Sequence, residues 1–233
     1  MKNHKLSKLL LASVISSLTV PTFAQQLEEV VVTASKRAEN LQDIPQAVTA
    51  FSSERLVELG IVETSDLMGA IPNIQVTSAY GRTQPNFSIR GISVANEFSA
   101  ATASPVGVYV DEVYQSFRAS HGQQLFDLES VEVLRGPQGT LYGRNTTGGA
   151  VNVNTIKPSL GEGASGFLNV RLGNYSYADF TGAVEATIIP DVLGVRLSGA
   201  VSEADGYVDN TLLGTDHPQT SSTAGRLSVL WRP

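Results

Sequence analysis

Residues 127–158 read DLESVEVLRGPQGTLYGRNTTGGAVNVNTIKP, and this stretch decides the fold. Val131, Val133 and Leu134 around Glu132 read as a short strand. Five glycines follow within fourteen residues: Gly136, Gly139, Gly143, Gly148 and Gly149. That density suits a backbone that turns repeatedly at positive φ, or packs against another backbone with no Cβ between. Ala150, Val151, Val153 and Ile156, interleaved with Asn152, Asn154 and Thr155, return the chain to extended structure, and Pro158 closes it. The unit is strand, glycine-rich turn, strand.

A phosphate cradle would need GxxxxGK[ST], or GxGxxG leading into a helix. Neither spacing is met, and no lysine follows the glycines before Lys157. A tight glycine loop packed inside a larger structure accounts for the stretch on physics alone.

The run VEVLRGPQGTLYGRNTTGGAVNVNT resembles the signature near the end of the plug domain in TonB-dependent outer-membrane receptors. The resemblance implies an α+β plug domain followed by the antiparallel strands of a transmembrane β-barrel. The complete family barrel has about 22 strands with the plug filling its lumen.

Composition agrees with an exported, folded chain. There is no cysteine, so disulfides, thiol catalysis and cysteine zinc sites are excluded. His4, His121 and His217 are scattered, which gives a histidine metal cluster no support. We expect no metal, no cofactor and no catalytic constellation. Residues 1–24 read as a secretory signal: Lys2, Lys5 and Lys8 precede the apolar run 9–20, and Thr22 and Ala24 supply small residues before a cut ahead of Gln25. The apolar run is too short to span a bilayer. Loss of those three lysines leaves 13 basic against 22 acidic residues, a formal charge of −9. No basic patch remains for nucleic acid.

Residues 25–40 begin QQLEEVVVTASKRAEN, a short β-prone run near a free end. By itself it would be a mobile terminal strand with an available edge, the kind used in strand addition to a partner. Glu28, Glu29, Val30, Val31, Val32, Thr33 and Ala34 resemble the family's TonB box. The resemblance implies pairing with TonB, the periplasmic end of an inner-membrane energising complex. With only Gln25 to Leu27 ahead of the box, no N-terminal signalling domain is expected.

Residues 41–158 read as the plug. Pro45 precedes a strand carrying Val48, Ala50 and Phe51. Ser53 is expected to cap a helix over 54–59 that ends at Gly60, and Thr64 or Ser65 a second, stopped by Pro72. Leu67, Ile71, Ile74 and Val76 are expected core. Residues 86–93 and 105–116 read as strands, and the polar loops 77–85 and 94–104 flank the first of them. In a plug such loops rise to the extracellular side, so Tyr80, Arg82, Gln84, Glu97 and Phe98 are ligand-binding candidates. Arg90, Glu132 and Arg135 are candidates for a charged contact between plug and barrel wall, with barrel acids beyond this chain as partners, because an enclosed charge needs a partner.

Residues 159–233 change character. Four segments of roughly ten residues alternate apolar and polar, as transmembrane β-strands do. Leu168, Val170 and Leu172 lie on the first, Phe180 and Val184 on the second, Leu193, Val195 and Leu197 on the third, and Leu227, Val229 and Trp231 on the fourth. Such a set cannot close a barrel, since about eight strands is the minimum. The expectation is therefore a truncated N-terminal portion that does not transport by itself. The reading is TonB-dependent uptake across the outer membrane of a Gram-negative bacterium, with a ferric siderophore as ligand and cobalamin or a glycan as alternatives. Outer-membrane lipid is a further partner. A stand-alone exported plug-like binding module, a non-functional fragment, and an exported β-sandwich enzyme are the competing readings.

Overall fold

The computed structural model describes residues 31–233 apart from 34, 35, 38, 81–83, 100, 101, 162, 211–214 and 218. The secretory signal, the box residues Glu28, Glu29, Val30 and Ala34, and Arg82 of the first loop lie outside the described residues.

The described chain opens with an antiparallel pair, β1 (Val31–Val32) with β2 (Glu39–Asn40). After Pro45 comes β3 (Val48–Ser52), then α1 (Ser53–Glu58). Its cap is Ser52, one residue earlier than expected, whose side chain accepts from the Arg55 N–H. A 3-10 turn (Thr64–Asp66) leads into α2 (Leu67–Ala70). The cap here is Glu63, reciprocated by Asp66 in a capping box, and not Thr64 or Ser65. Thr64 is taken: it is buried, and its hydroxyl donates to the His121 carbonyl at 2.7 Å.

Next come the hairpin β4 (Ile74–Thr77) with β5 (Asn86–Ile89), and the hairpin β6 (Val106–Val110) with β7 (Val113–Tyr114). A 3-10 turn (Arg118–His121) leads to β8 (Leu128–Arg135), the one-turn helix α3 (Gly139–Tyr142) and β9 (Gly149–Thr155). The glycine-rich turn thus holds a helical turn between two antiparallel strands. Gly149 shows why glycine is required. Its φ is +156°, and a Cβ there would strike the Leu134 carbonyl oxygen across the ladder.

The first sheet has the order β3-β8-β9-β6-β7, with β6 and β9 parallel. Strand alternation gives it two different faces. Phe51, Val131, Val133, Val151, Val153, Val106 and Val108 meet Leu56 of α1, Leu67 of α2, and Ile74, Phe87 and Ile89 of the β4–β5 hairpin. The opposite face carries Leu134, Ala150 and Tyr109, covered by Tyr142, Ile44 and Val32.

The second sheet is β10 (Ala164–Leu172), β11 (Ala178–Ile189), β12 (Leu193–Ala204) and β15 (Thr220–Trp231), antiparallel and paired in that order. A small hairpin, β13 (Val208–Asn210) with β14 (Thr215–His217), sits in the long connection. Register lines up Val184, Leu197 and Leu227 on one face, and Arg171, Asp179 and Ser202 on the other. The apolar row is exposed, whereas Asp179, Arg196, Ser198 and Ser202 are buried. The sheet therefore turns its polar face inward. That inversion of a soluble sheet suits strands with lipid outside and a filled lumen inside. An α+β plug followed by antiparallel barrel strands is the observed fold.

Candidate functional site

Three places bring the candidate residues together or replace them. The first is the landing of the N-terminal strand on the first sheet. Alternation puts Glu132 of β8 opposite Asn152 of β9, and Ser130 opposite Asn154, on the face away from the main core. Glu132 is fully buried. Its carboxylate accepts from the Thr33 N–H at 2.7 Å, the Thr33 hydroxyl at 3.1 Å, Asn152 Nδ2 at 3.4 Å and Asn154 Nδ2 at 3.2 Å. Among the described residues no cation pairs with it, so neutral donors alone satisfy its charge. Each hydrogen bond to such a charged group is worth about 1.5–3 kcal/mol.

Val32, beside Thr33, has no exposed surface and packs in the second cluster. Lys36 lies 4.7 Å from the Tyr142 ring centroid and 5.8 Å from that of Tyr109. Burial first, then the Glu132 charge, pushes the Tyr142 phenol up, and burial raises Tyr109. Both rings stay neutral faces for the ammonium at ordinary pH. Val31 and Val32 pair with β2 along one edge, and Val32 and Thr33 settle on the sheet, an apolar and a hydroxyl residue matching the row beneath. Val31, Val32 and Thr33 are the described members of the seven-residue motif.

The second place is the pair of loops 77–85 and 94–104. Tyr80 Oη donates to the Phe98 carbonyl at 2.9 Å, and the two rings meet edge to face at 6.4 Å. Thr77 donates to the Glu97 carboxylate at 2.6 Å, and Ser78 to the Gln84 carbonyl at 3.0 Å. Tyr80 with Phe98 and Thr77 with Glu97 thus tie the two loops together, while Gln84 accepts from Ser78 within its own loop. Phe98 is 74% and Tyr80 52% exposed, an aromatic pair presented to solvent. Such a pair offers flat apolar contact, with Glu97 as a neighbouring charge.

The third place is the contact between the two sheets. Arg90 is exposed, Arg135 half-buried and Glu132 faces the N-terminal strand; among the described residues no hydrogen bond or ion pair joins them to the second sheet, and the barrel acids expected as their partners lie beyond this chain. The ion pairs across the junction come from Asp127, at the start of β8. Arg196 of β12 donates Nε to it at 2.9 Å and adds a second bond through Nη2, while Arg226 of β15 reaches it at 3.3 Å. Arg226 also donates to the Asp127 carbonyl at 2.7 Å. Burial pushes the Asp127 carboxyl up, but the Arg196 hydrogen bonds and charge outweigh it, helped by Ser198 and Arg226, and hold it below the usual carboxylate range. Sequence reasoning missed this residue. Its one local signal is a lone aspartate ahead of an apolar strand, and its partners lie 69 and 99 residues away.

Among the described residues no three histidines, aspartates or glutamates come together to hold a metal.

Comparison with known proteins bears on the fold that holds these places. Residues 40–150 match the model of the TonB-dependent Receptor Plug Domain. The chain is 34% identical over 138 residues to the pesticin receptor of Yersinia pestis, which is 59% of this chain and 20% of that one. It is 27% identical over 209 residues to the vitamin B12 transporter BtuB of Vibrio vulnificus, covering 87% of this chain and 33% of the other. The crystal structure of the ferric yersiniabactin uptake receptor FyuA from Yersinia pestis superposes with a TM-score of 0.70 at 26% identity, over 79% of this chain and 28% of that chain. This chain thus spans between a fifth and a third of the length of these curated relatives. The relatives are transport receptors, not enzymes.

Proposed function

We propose that the chain, whose residues 40–150 match the TonB-dependent receptor plug domain, serves active uptake of a ferric siderophore across a Gram-negative outer membrane. The apical loops, with Tyr80, Gln84, Glu97 and Phe98, and Arg82 beside them in sequence, receive the ligand from outside. The motif from Glu28 to Ala34 pairs with TonB in the periplasm. The second sheet is the start of the barrel wall, and its apolar face meets outer-membrane lipid. Cobalamin is the alternative ligand, on the strength of the similarity to the B12 transporter.

One observation carries the reading: the two-residue strand Val31–Val32 and the adjoining Thr33 lie on the plug sheet, Val32 in an apolar cluster and Thr33 on a polar row. A strand held by two residues of ladder, one buried valine and the bonds of Thr33 to Glu132, Asn152 and Asn154 is short enough to be exchanged for a partner strand, which main-chain hydrogen bonds would hold. The test is binding of the full chain in detergent to the periplasmic domain of TonB. Val31→Pro removes a ladder N–H and should abolish it, with the fold unchanged by circular dichroism. Binding that survives the proline would overturn the assignment of the motif.

A further inference from the structure

Arg118 takes no part in the sites above, yet it is one of the most buried charged side chains in the protein, at 3% exposure. Among the described residues no carboxylate pairs with it. Its guanidinium spends its bonds on the two apical loops. Nη1 donates to Asn86 Oδ1 at 2.6 Å, and Asn86 is where the loop 77–85 re-enters β5. Nη2 donates to the Glu97 carbonyl at 3.3 Å and to the Ser99 carbonyl, both in the loop 94–104.

The turn beneath is fixed to the plug from two sides. The His121 carbonyl accepts from Thr64 ahead of α2, and His121 Nε2 lies 2.9 Å from the Gln115 carbonyl. The Gln115 N–H in turn donates to Val108 of β6. Two further bonds between the described parts of the loops, Thr77 with Glu97 and Tyr80 with Phe98, are exposed. A buried cation with no counter-charge is costly. A residue selected for stability alone would be apolar here. What an arginine adds is a rigid planar fork whose two ends bond separate chain segments, where a lysine offers one flexible point.

We propose that Arg118 is a positioning residue for the ligand-binding loops: from a turn anchored in the plug it fixes the spacing of the two loops and the presentation of Phe98 and Tyr80. The proposal rests on the reading of these loops as the ligand-contacting surface.

The test compares hydrogen–deuterium exchange of the full chain in detergent with Arg118→Lys and with Asn86→Ala, the second removing one acceptor and leaving the charge in place. Both variants should exchange faster in 77–80 and 94–99 while the amides of β8 and β9 keep their rates. Wild-type rates in the loops of both variants would overturn the proposal. So would a uniform acceleration through β8 and β9, which would make the arginine an ordinary part of the core. A second arm measures affinity for a panel of soluble ferric catecholate, hydroxamate and phenolate chelates, beside affinity for the periplasmic domain of TonB. If the competent loop arrangement falls to about a tenth, chelate affinity falls about tenfold, and TonB affinity does not move. Loosened loops with unchanged chelate affinity, for a chelate the wild type binds, would leave the positioning role intact and sink the ligand-loop reading.

Discussion

At the scale of single residues, charge burial separates the two acidic groups that matter. Glu132 is satisfied by neutral donors from Thr33, Asn152 and Asn154. Glu132→Ala strands those donors in a buried row, at about 1–3 kcal/mol for each one left unpaired. Glu132→Gln keeps the shape but turns an acceptor-only group into one that also donates toward Asn side chains. Both variants should release the N-terminal strand. A spin label at position 31 should gain mobility in each, and an unchanged spectrum would contradict the latch. Asp127 behaves differently, because Arg196 and Arg226 hold its folded-state pKa below the ordinary 3.8. A depressed carboxyl stabilises the fold fully above its unfolded value and loses that contribution as pH falls through the folded one. The junction between plug and wall should therefore be indifferent to pH between 5 and 8 and weaken only in strong acid. Asp127→Asn should lower the melting temperature at pH 7 and flatten its dependence on pH below 4. A melting curve that is equally acid-sensitive in the variant would assign the effect to another group.

At the scale of elements, the β8–α3–β9 unit depends on Gly149, whose φ and whose contact with the Leu134 carbonyl exclude a side chain. Gly149→Ala should destabilise by about 1–3 kcal/mol or more, as strain at a special φ does, read as a lowered denaturation midpoint. A neutral result would mean that the ladder can shift to admit a Cβ. The same unit explains what was legible in advance. The strands, the glycine turn and the wall strands were readable because period-two alternation and glycine spacing are local signals. The caps were misplaced by one residue at α1 and by one or two at α2. Ser52 and Ser53 are chemically equivalent candidates, and Thr64 is diverted by a partner 57 residues away. The seating of the N-terminal strand was not legible either. Val32 and Thr33 look like any free terminus until the row Glu132, Asn152 and Asn154 is assembled from two other strands. Of the loop residues, Tyr80 meets Phe98 and Thr77 reaches Glu97 across the two loops, while Gln84 accepts from Ser78 of its own loop.

At the scale of the whole molecule, the two sheets are of opposite kind. The first buries apolar side chains on both faces, and the second exposes Leu168, Leu172, Val184, Leu227 and Trp231 while burying Arg196 and Asp179. Among the described residues their polar joint runs through Phe126 and Asp127, which take Arg196 and Arg226, so plug and wall are fastened far along the chain from the N-terminal strand. The apical loops, the N-terminal strand and the Asp127 joint are then three separately adjustable attachments on one rigid sheet.

The way β1 is attached has a mechanical side. Its ladder is two residues long and antiparallel to a neighbour that follows it directly in the chain. Tension applied from the N-terminus loads Val31, then Val32, then Thr33 in succession, as a zip fastener is opened, and never all bonds together as in shear. When Thr33 lifts, water reaches Glu132, and the tug has been converted into hydration of a carboxylate at the centre of the sheet.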